Sequence, residues 1–235
     1  MESNNIKILI IIPGITNDTF VMNIRKNIDI MKQYNKINFD IYLYNHTNTI
    51  LSGLNIDIVE NGNLGLYNVL SKCQNIVDNY DYVIVMLDDV EIVKLDLYQI
   101  IKIYEQYNFD ILSPSVSFDS VWSHMNMKYL NKKQVNVVKC LELFYYFMKP
   151  CVYKKWCSIM TDDNHYGWGI DCNMYTLLNF RLGINHENYI RHLKINRNYY
   201  DVAENQMIEW LKKHNKTNKT LLNDYCDDVI DSFLI

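Results

Sequence analysis

At 235 residues the chain has material for one large α/β domain or two small ones, with enough apolar side chains for a sizeable core. Hydrophobic residues make up 49% and charged residues 21%; the formal net charge of −4, without a Lys/Arg cluster, argues against a nucleic-acid partner. The best apolar run, Ile8 to Ile12, stops at Pro13-Gly14 and is too short for a transmembrane segment or a signal peptide. The six cysteines (Cys73, Cys140, Cys151, Cys157, Cys172, Cys226) form no CxxC pair and read as reduced thiols, with zinc or disulfides as the less favoured alternatives. The sequons at Asn45, Asn215 and Asn218 read as chance matches in an Asn-rich chain.

In chain order, Lys7 to Ile12 reads as a first strand closed by a turn at Pro13-Gly14. A helix capped by Asn17 or Asp18 follows, with Val21, Ile24, Ile28 and Met31 as its apolar stripe. Phe39 to Tyr44 and Ile56 to Val59 read as strands. Leu66, Val69, Leu70, Cys73, Ile76 and Val77 form one face of a helix. Tyr82 to Leu87 is a continuous apolar run, the pattern of a central strand covered on both faces. A helix marked by Leu97, Ile100, Ile101 and Tyr104 and a strand over Phe109 to Leu112 complete a βαββαβαβ order, which argues for a sheet wound with crossover helices. Ser113-Pro114-Ser115 reads as a break, Val135 to Phe147 as one or two strands, and Val152 to Met160 as a short helix. A helix after Asp171 is expected to stop at Gly183. Asp201 and Glu204 have capping-box spacing before a final helix with Ala203, Met207, Trp210 and Leu211 on one face. Residues 215–235 read as a loosely attached tail.

Two constellations carry chemistry. Asp88-Asp89-Val90-Glu91 lies where the central strand stops, at the mouth of the sheet where open α/β folds bind ligands. Such acids repel one another unless a cation sits between them, and oxygen ligands suit Mg2+ or Mn2+. Helix caps and turns use the same residues, so spacing alone leaves both readings open. The Asp89-x-Glu91 spacing puts both side chains on one side of an extended segment, with Asp88 on the other. Gly167-Trp168-Gly169-Ile170-Asp171 reads either as a tight turn around a core tryptophan or as a loop wrapping a sugar on a Trp168 platform. In the second reading Asp171, held ionised at a helix N-terminus, is a general base. His192, after Arg191, is by itself more often a structural histidine.

With these motifs in this order, the chain resembles nucleotide-sugar-dependent glycosyltransferases of the GT-A fold. The acidic motif stands at the family's DxD position, and the Gly-Trp-Gly loop and late Arg191-His192 are similar to those of β-1,4-galactosyltransferase-like enzymes. Small glycosyltransferases of large DNA viruses look alike in size and order. The resemblance covers roughly residues 6–212. It implies a single Rossmann-like α/β domain with a mixed central sheet flanked by helices. Residues 6–112 would form the nucleotide-binding half, 113–212 the acceptor and catalytic half, and 213–235 a tail.

The resemblance also implies roles. Asp89, Glu91 and His192 would hold Mn2+ or Mg2+, with Asp88 in support. Asp171 would deprotonate the acceptor in an inverting displacement. Pro13, Gly14 and Asn45 would line the nucleotide pocket, Arg191 or Lys194 would assist the phosphates, and Trp168 would contact the donor. A UDP-sugar is the default donor and a glycan the acceptor. Golgi enzymes of this chemistry carry an anchor, so a cytoplasmic location is expected. The family's third DxD position here is Val90 or Glu91, which leaves the ligand set open. Glu142 is a second candidate base, more simply an exposed strand acid. Two other readings are a degenerate sugar-nucleotide-binding protein and a nucleotidyltransferase. The latter is disfavoured because Pro13 to Thr19 lacks the Lys or Arg that a triphosphate loop uses.

Overall fold

A ten-stranded mixed sheet organises the computed structural model, which describes residues 5–15, 19–46, 56–121, 124–193, 200–216 and 228–235. Strand β1 (Ile6–Ile15) lies between two parallel neighbours, β2 (Ile37–Asn45) and β4 (Tyr82–Met86). Its Ile8-to-Ile12 run is fully buried, because helices cover both faces of a parallel sheet. Helix α1 (Phe20–Met31) makes the β1-to-β2 crossover and buries Phe20, Ile24, Asn27, Ile28 and Met31. Its N-cap is Thr19; Asn17 and Asp18 lie outside the described residues. Strand β3 (Ile58–Asn61) pairs parallel with β2 at the sheet edge. Helix α2 (Leu66–Cys73) and a 3-10 turn (Val77–Asn79) return the chain to β4, burying Val69, Leu70, Cys73 and Val77; the helix ends at Cys73 rather than continuing to Val77 as its apolar face suggested.

The second half is built from β5 (Val90–Lys94), α3 (Leu97–Tyr107), β6 (Ile111–Val116), β7 (Gln134–Val138), β8 (Tyr145–Met148), α4 (Pro150–Cys157), α5 (Met174–Leu178), β9 (Leu182–His192), α6 (Tyr200–Lys213) and β10 (Val229–Leu234). The sheet runs β10-β7-β9-β6-β8-β4-β1-β2-β3, with β5 pairing β9 off this path. β6 and β9 are parallel, whereas β8 joins β4 and β6 antiparallel. The α/β architecture with a mixed, helix-flanked sheet is the expected one.

Several local expectations are corrected. Ser113-Pro114-Ser115 is no break: β6 runs through it, and its register with β9 shifts between Pro114 and Ser115, an irregularity that lets a proline sit within a strand. The helix after Asp171 ends at Leu178, with Asn179 left-handed at φ 55, and Gly183 belongs instead to β9. There a Cβ would lie 2.6 Å from the Phe109 ring, which explains the glycine by close packing. Asp201 falls inside the first turn of α6 and is not its cap. The tail contributes β10, which pairs antiparallel with β7. β5 and β9 were unanticipated, and they are the strands that build the site.

Candidate active site

The central strand β4 delivers the chain to a turn at Asp88 and Asp89, both buried. Two asparagines one helical turn apart on α1 hold that turn. Asn23 Nδ2 donates to the carbonyls of Asp88 (3.0 Å) and Val90 (2.7 Å). Asn27, fully buried, donates to Val90 O at 2.6 Å and accepts from Ile92 N at 2.8 Å. Their i,i+4 spacing places both amides on one helix face. β5 then runs antiparallel to the end of β9, with Val90 opposite His192 and Glu91 opposite Arg191.

This register brings Asp89 and His192 together. His192 Nε2 lies 3.1 Å from Asp89 Oδ2. Its Nδ1 lies 2.6 Å from Val121 O, and since a carbonyl only accepts, Nδ1 carries the proton of that bond. Phe144 stacks on the imidazole at 4.3 Å between centroids. The His192 backbone is pinned by Ser120 Oγ, and Leu193 N donates to Asp89 O at 2.8 Å. The imidazole is thus fixed in position between two acceptors, with Nε2 turned to a buried carboxylate.

Glu91 is not brought to this pair. Opposed residues of an antiparallel ladder share a face, so Glu91 and Arg191 point one way and Val90 and His192 the other. Glu91 is ion-paired with Lys26 of α1 and, at 2.9 Å, with Arg191. Arg191 Nε also meets Asp119 at 2.9 Å, and these acids, Asp119 first, hold its pKa above the usual value. The expected D-x-E alignment fails because Asp88 and Asp89 form the turn and only Glu91 lies in strand. Among the described residues, the set of three His, Cys, Asp or Glu ligand atoms that do converge is His124, Cys140 and Cys172.

The Gly167-to-Asp171 segment is a series of turns. Gly167 (φ +70) and Gly169 (φ +82) occupy the left-handed region, and Cβ atoms there would lie 2.6 Å from Leu66 Cδ2 and 2.8 Å from Met207 Cγ. Two buried asparagines staple the loop: Asn164 Nδ2 donates to Trp168 O at 2.9 Å and Asn173 Nδ2 to Gly169 O at 2.7 Å. Trp168 is half-buried and meets the exposed Tyr200 edge-on at 5.5 Å. Asp171 Oδ1 accepts from Cys172 N at 2.9 Å. Glu142, expected on an exposed strand, is buried in the β7–β8 connection. Burial raises the Tyr146 phenol well above its usual range, and the charges of Asp171, Cys140, Cys172 and Glu142 add to that rise.

At the other side of β4, Pro13 and Gly14 form no closing turn: they lie within β1, at its register shift with β2 between Ile12 and Ile15, and Asn45, buried, ends β2. His46 packs on Gly14, whose Cβ would lie 2.6 Å from the ring, and meets Tyr44 edge-on at 4.9 Å. Burial lowers the His46 pKa, against hydrogen bonds to the Gly62 and Pro13 backbone that raise it. Lys194 lies outside the described residues. Tyr145, Tyr146, Tyr153 and Trp156 are core residues.

No protein-family model matches the sequence, and no curated protein does. Solved structures do match the fold. GalNAc-T7, crystallised with UDP, GalNAc and Mn2+, superposes with a TM-score of 0.60 over 95% of this chain and 57% of that one, at 9% identity. TarS residues 1–349 from S. aureus, crystallised with UDP, gives 0.57 over 92% of this chain and 73% of that one, at 12% identity. The fold is that of the GT-A glycosyltransferases. This chain spans little more than half of the GalNAc-T7 chain. Among the described residues, no helix is long and apolar enough to cross a membrane.

Proposed function

We propose that this protein moves a sugar from a nucleotide-diphosphate sugar, with UDP as the nucleotide, to a saccharide hydroxyl with inversion at the anomeric carbon. The observation that carries the reading is the Asp89–His192 pair at the mouth of the sheet. With Nδ1 donating to Val121, Nε2 and a buried carboxylate face the same small space, where a cation would take the place of the proton they share. One imidazole nitrogen and one carboxylate are a fitting donor set for Mn2+ or Mg2+, and the Nδ1-to-carbonyl bond is the usual support of a ligating histidine. When bound, such an ion neutralises the charge that builds on the leaving diphosphate. The fold neighbours' UDP supports the choice of nucleotide.

In this reading Asp89 and His192 hold the ion and Asp88 supports the turn. Pro13, Gly14 and Asn45 line the nucleotide side, and Trp168 borders the sugar. Asp171, oriented by the Cys172 amide, accepts the proton of the acceptor hydroxyl as its oxygen attacks the anomeric carbon. Glu91 and Arg191 position β5 and β9 and so hold His192 against Asp89.

The test is sugar transfer and hydrolysis with a panel of UDP-sugars, with and without Mn2+. Donor consumption that needs Mn2+ and fails in Asp89→Asn is expected; metal-independent turnover overturns the role of the pair. A second reading is donor binding without turnover, favoured by the engagement of Glu91 with Lys26 and Arg191. It predicts UDP binding with no consumption of any donor.

A further inference from the structure

Three segments that border the Asp171 loop meet in a separate cluster of metal-ligating side chains. His124 precedes a 3-10 turn (Met125–Met127), Cys140 follows β7, and Cys172 follows Asp171. Cys140 Sγ lies 3.0 Å from Cys172 Sγ, and Cys172 Sγ lies 3.4 Å from His124 Nε2. The three ligand atoms all fall within 4.8 Å of one another, and all three residues are buried. The residues are separated by 16 and 32 positions, so only the fold assembles them. Asn126 Nδ2 donates to Cys140 O at 3.1 Å and fixes one corner.

We propose that His124, Cys140 and Cys172 bind a zinc ion. Two sulfurs and one imidazole nitrogen are the donors zinc prefers, and thiolates disfavour the hard cations suited to Asp89. On binding, both thiols lose their protons to solvent, and two thiolates balance the charge of the ion, so the buried centre is neutral. At 3.0 Å the sulfurs are closer than the ~3.8 Å that two thiolates keep on one tetrahedral ion, so binding would part them by ~0.8 Å. A disulfide would use the sulfurs alone, whereas a metal also uses the imidazole nitrogen turned to Cys172. Water can complete a four-coordinate site. The ion would clip the 124 segment, the β7–β8 connection and the Asp171 loop to one another. This site does not depend on the transferase reading.

The experiment is metal analysis of the full chain purified without chelator, together with Co2+ titration of the metal-stripped protein. About one zinc per chain is expected. Co2+ should give the intense near-ultraviolet absorption of thiolate coordination. Cys140→Ser, Cys172→Ser and His124→Gln should lose both signals, whereas exposed Cys151→Ser and Asp89→Asn should keep them. Because the cluster variants can unfold, the wild-type titration decides: stripped protein with native circular dichroism that takes up neither Zn2+ nor Co2+ overturns the site. A pair of thiols that react only after reductant would also overturn it, by showing a disulfide.

Discussion

The strand that carries His192 to Asp89 also contains His186, and its protonation should weaken the fold in a defined pH window. His186 is fully buried in β9, and its Nε2 lies 2.9 Å from Asn136 Nδ2 of β7. Because that amide nitrogen only donates, the ring nitrogen accepts, and the imidazole is neutral. Burial, and then the charge of Lys132, lowers its pKa from 6.5 to about 4. The folded pKa is depressed, so the neutral ring's stabilisation is fully present above the unfolded value and is lost as pH falls from 6.5 towards 4. At about 1.36 kcal/mol per unit, the loss comes to roughly 3 kcal/mol, a large share of a typical domain's stability. Urea unfolding at a series of pH values across that window measures it. His186→Gln keeps a polar atom near the Nε2 position and cannot titrate there. The wild type should lose roughly 3 kcal/mol more than the variant on acidification. Parallel curves for the two proteins would refute the argument, whatever their absolute stabilities.

Three further outcomes are expected. Asn27→Ala removes a buried amide that serves Val90 O and Ile92 N and should cost roughly 1–3 kcal/mol in urea unfolding, since Ile92 N loses its side-chain acceptor while Val90 O keeps Asn23. Gly169→Ala forces a side chain into φ +82 and against Met207, and should cost about 1–3 kcal/mol by the same assay; an unchanged midpoint would show that the loop relaxes freely. Asp171→Asn should slow sugar transfer ~10²–10⁴-fold in steady-state kinetics, with UDP affinity retained; equal turnover would remove Asp171 as the base.

The first half of the fold was legible because its signals are local. The runs in β1 and β4 are continuous and apolar, and α2 buries one clean face, so period alone identifies them. The site strands were not, for a physical reason. β9 buries Asn185, His186 and Asn188 between its apolar residues, so the alternation that marks a half-buried strand is missing. β6 contains a proline at a register shift, which local turn chemistry reads as a stop. In the site, acids after β4 and a glycine-flanked tryptophan could be picked out as residue types. Which acid meets His192 depends on the β5–β9 register, and that pairing spans about a hundred residues of sequence. Asn23, Asn27, Asn164 and Asn173 act through backbone carbonyls brought close by the fold, and in an Asn-rich chain nothing local distinguishes them. The same holds for His124, Cys140 and Cys172.

The central claim is that Asp89 and His192 together bind a cation that receives a nucleoside diphosphate. Its most direct test is thermal unfolding of the wild type and of Asp89→Asn with UDP, each with and without Mn2+. A ligand that binds only the folded state stabilises by mass action, by about 2.7 kcal/mol at a hundred times its Kd. The account predicts that UDP raises the wild-type midpoint only when Mn2+ is present, and that Asp89→Asn loses this shift while keeping its own basal transition. A UDP shift that ignores Mn2+, one that survives in Asp89→Asn, or no shift at millimolar UDP would contradict it.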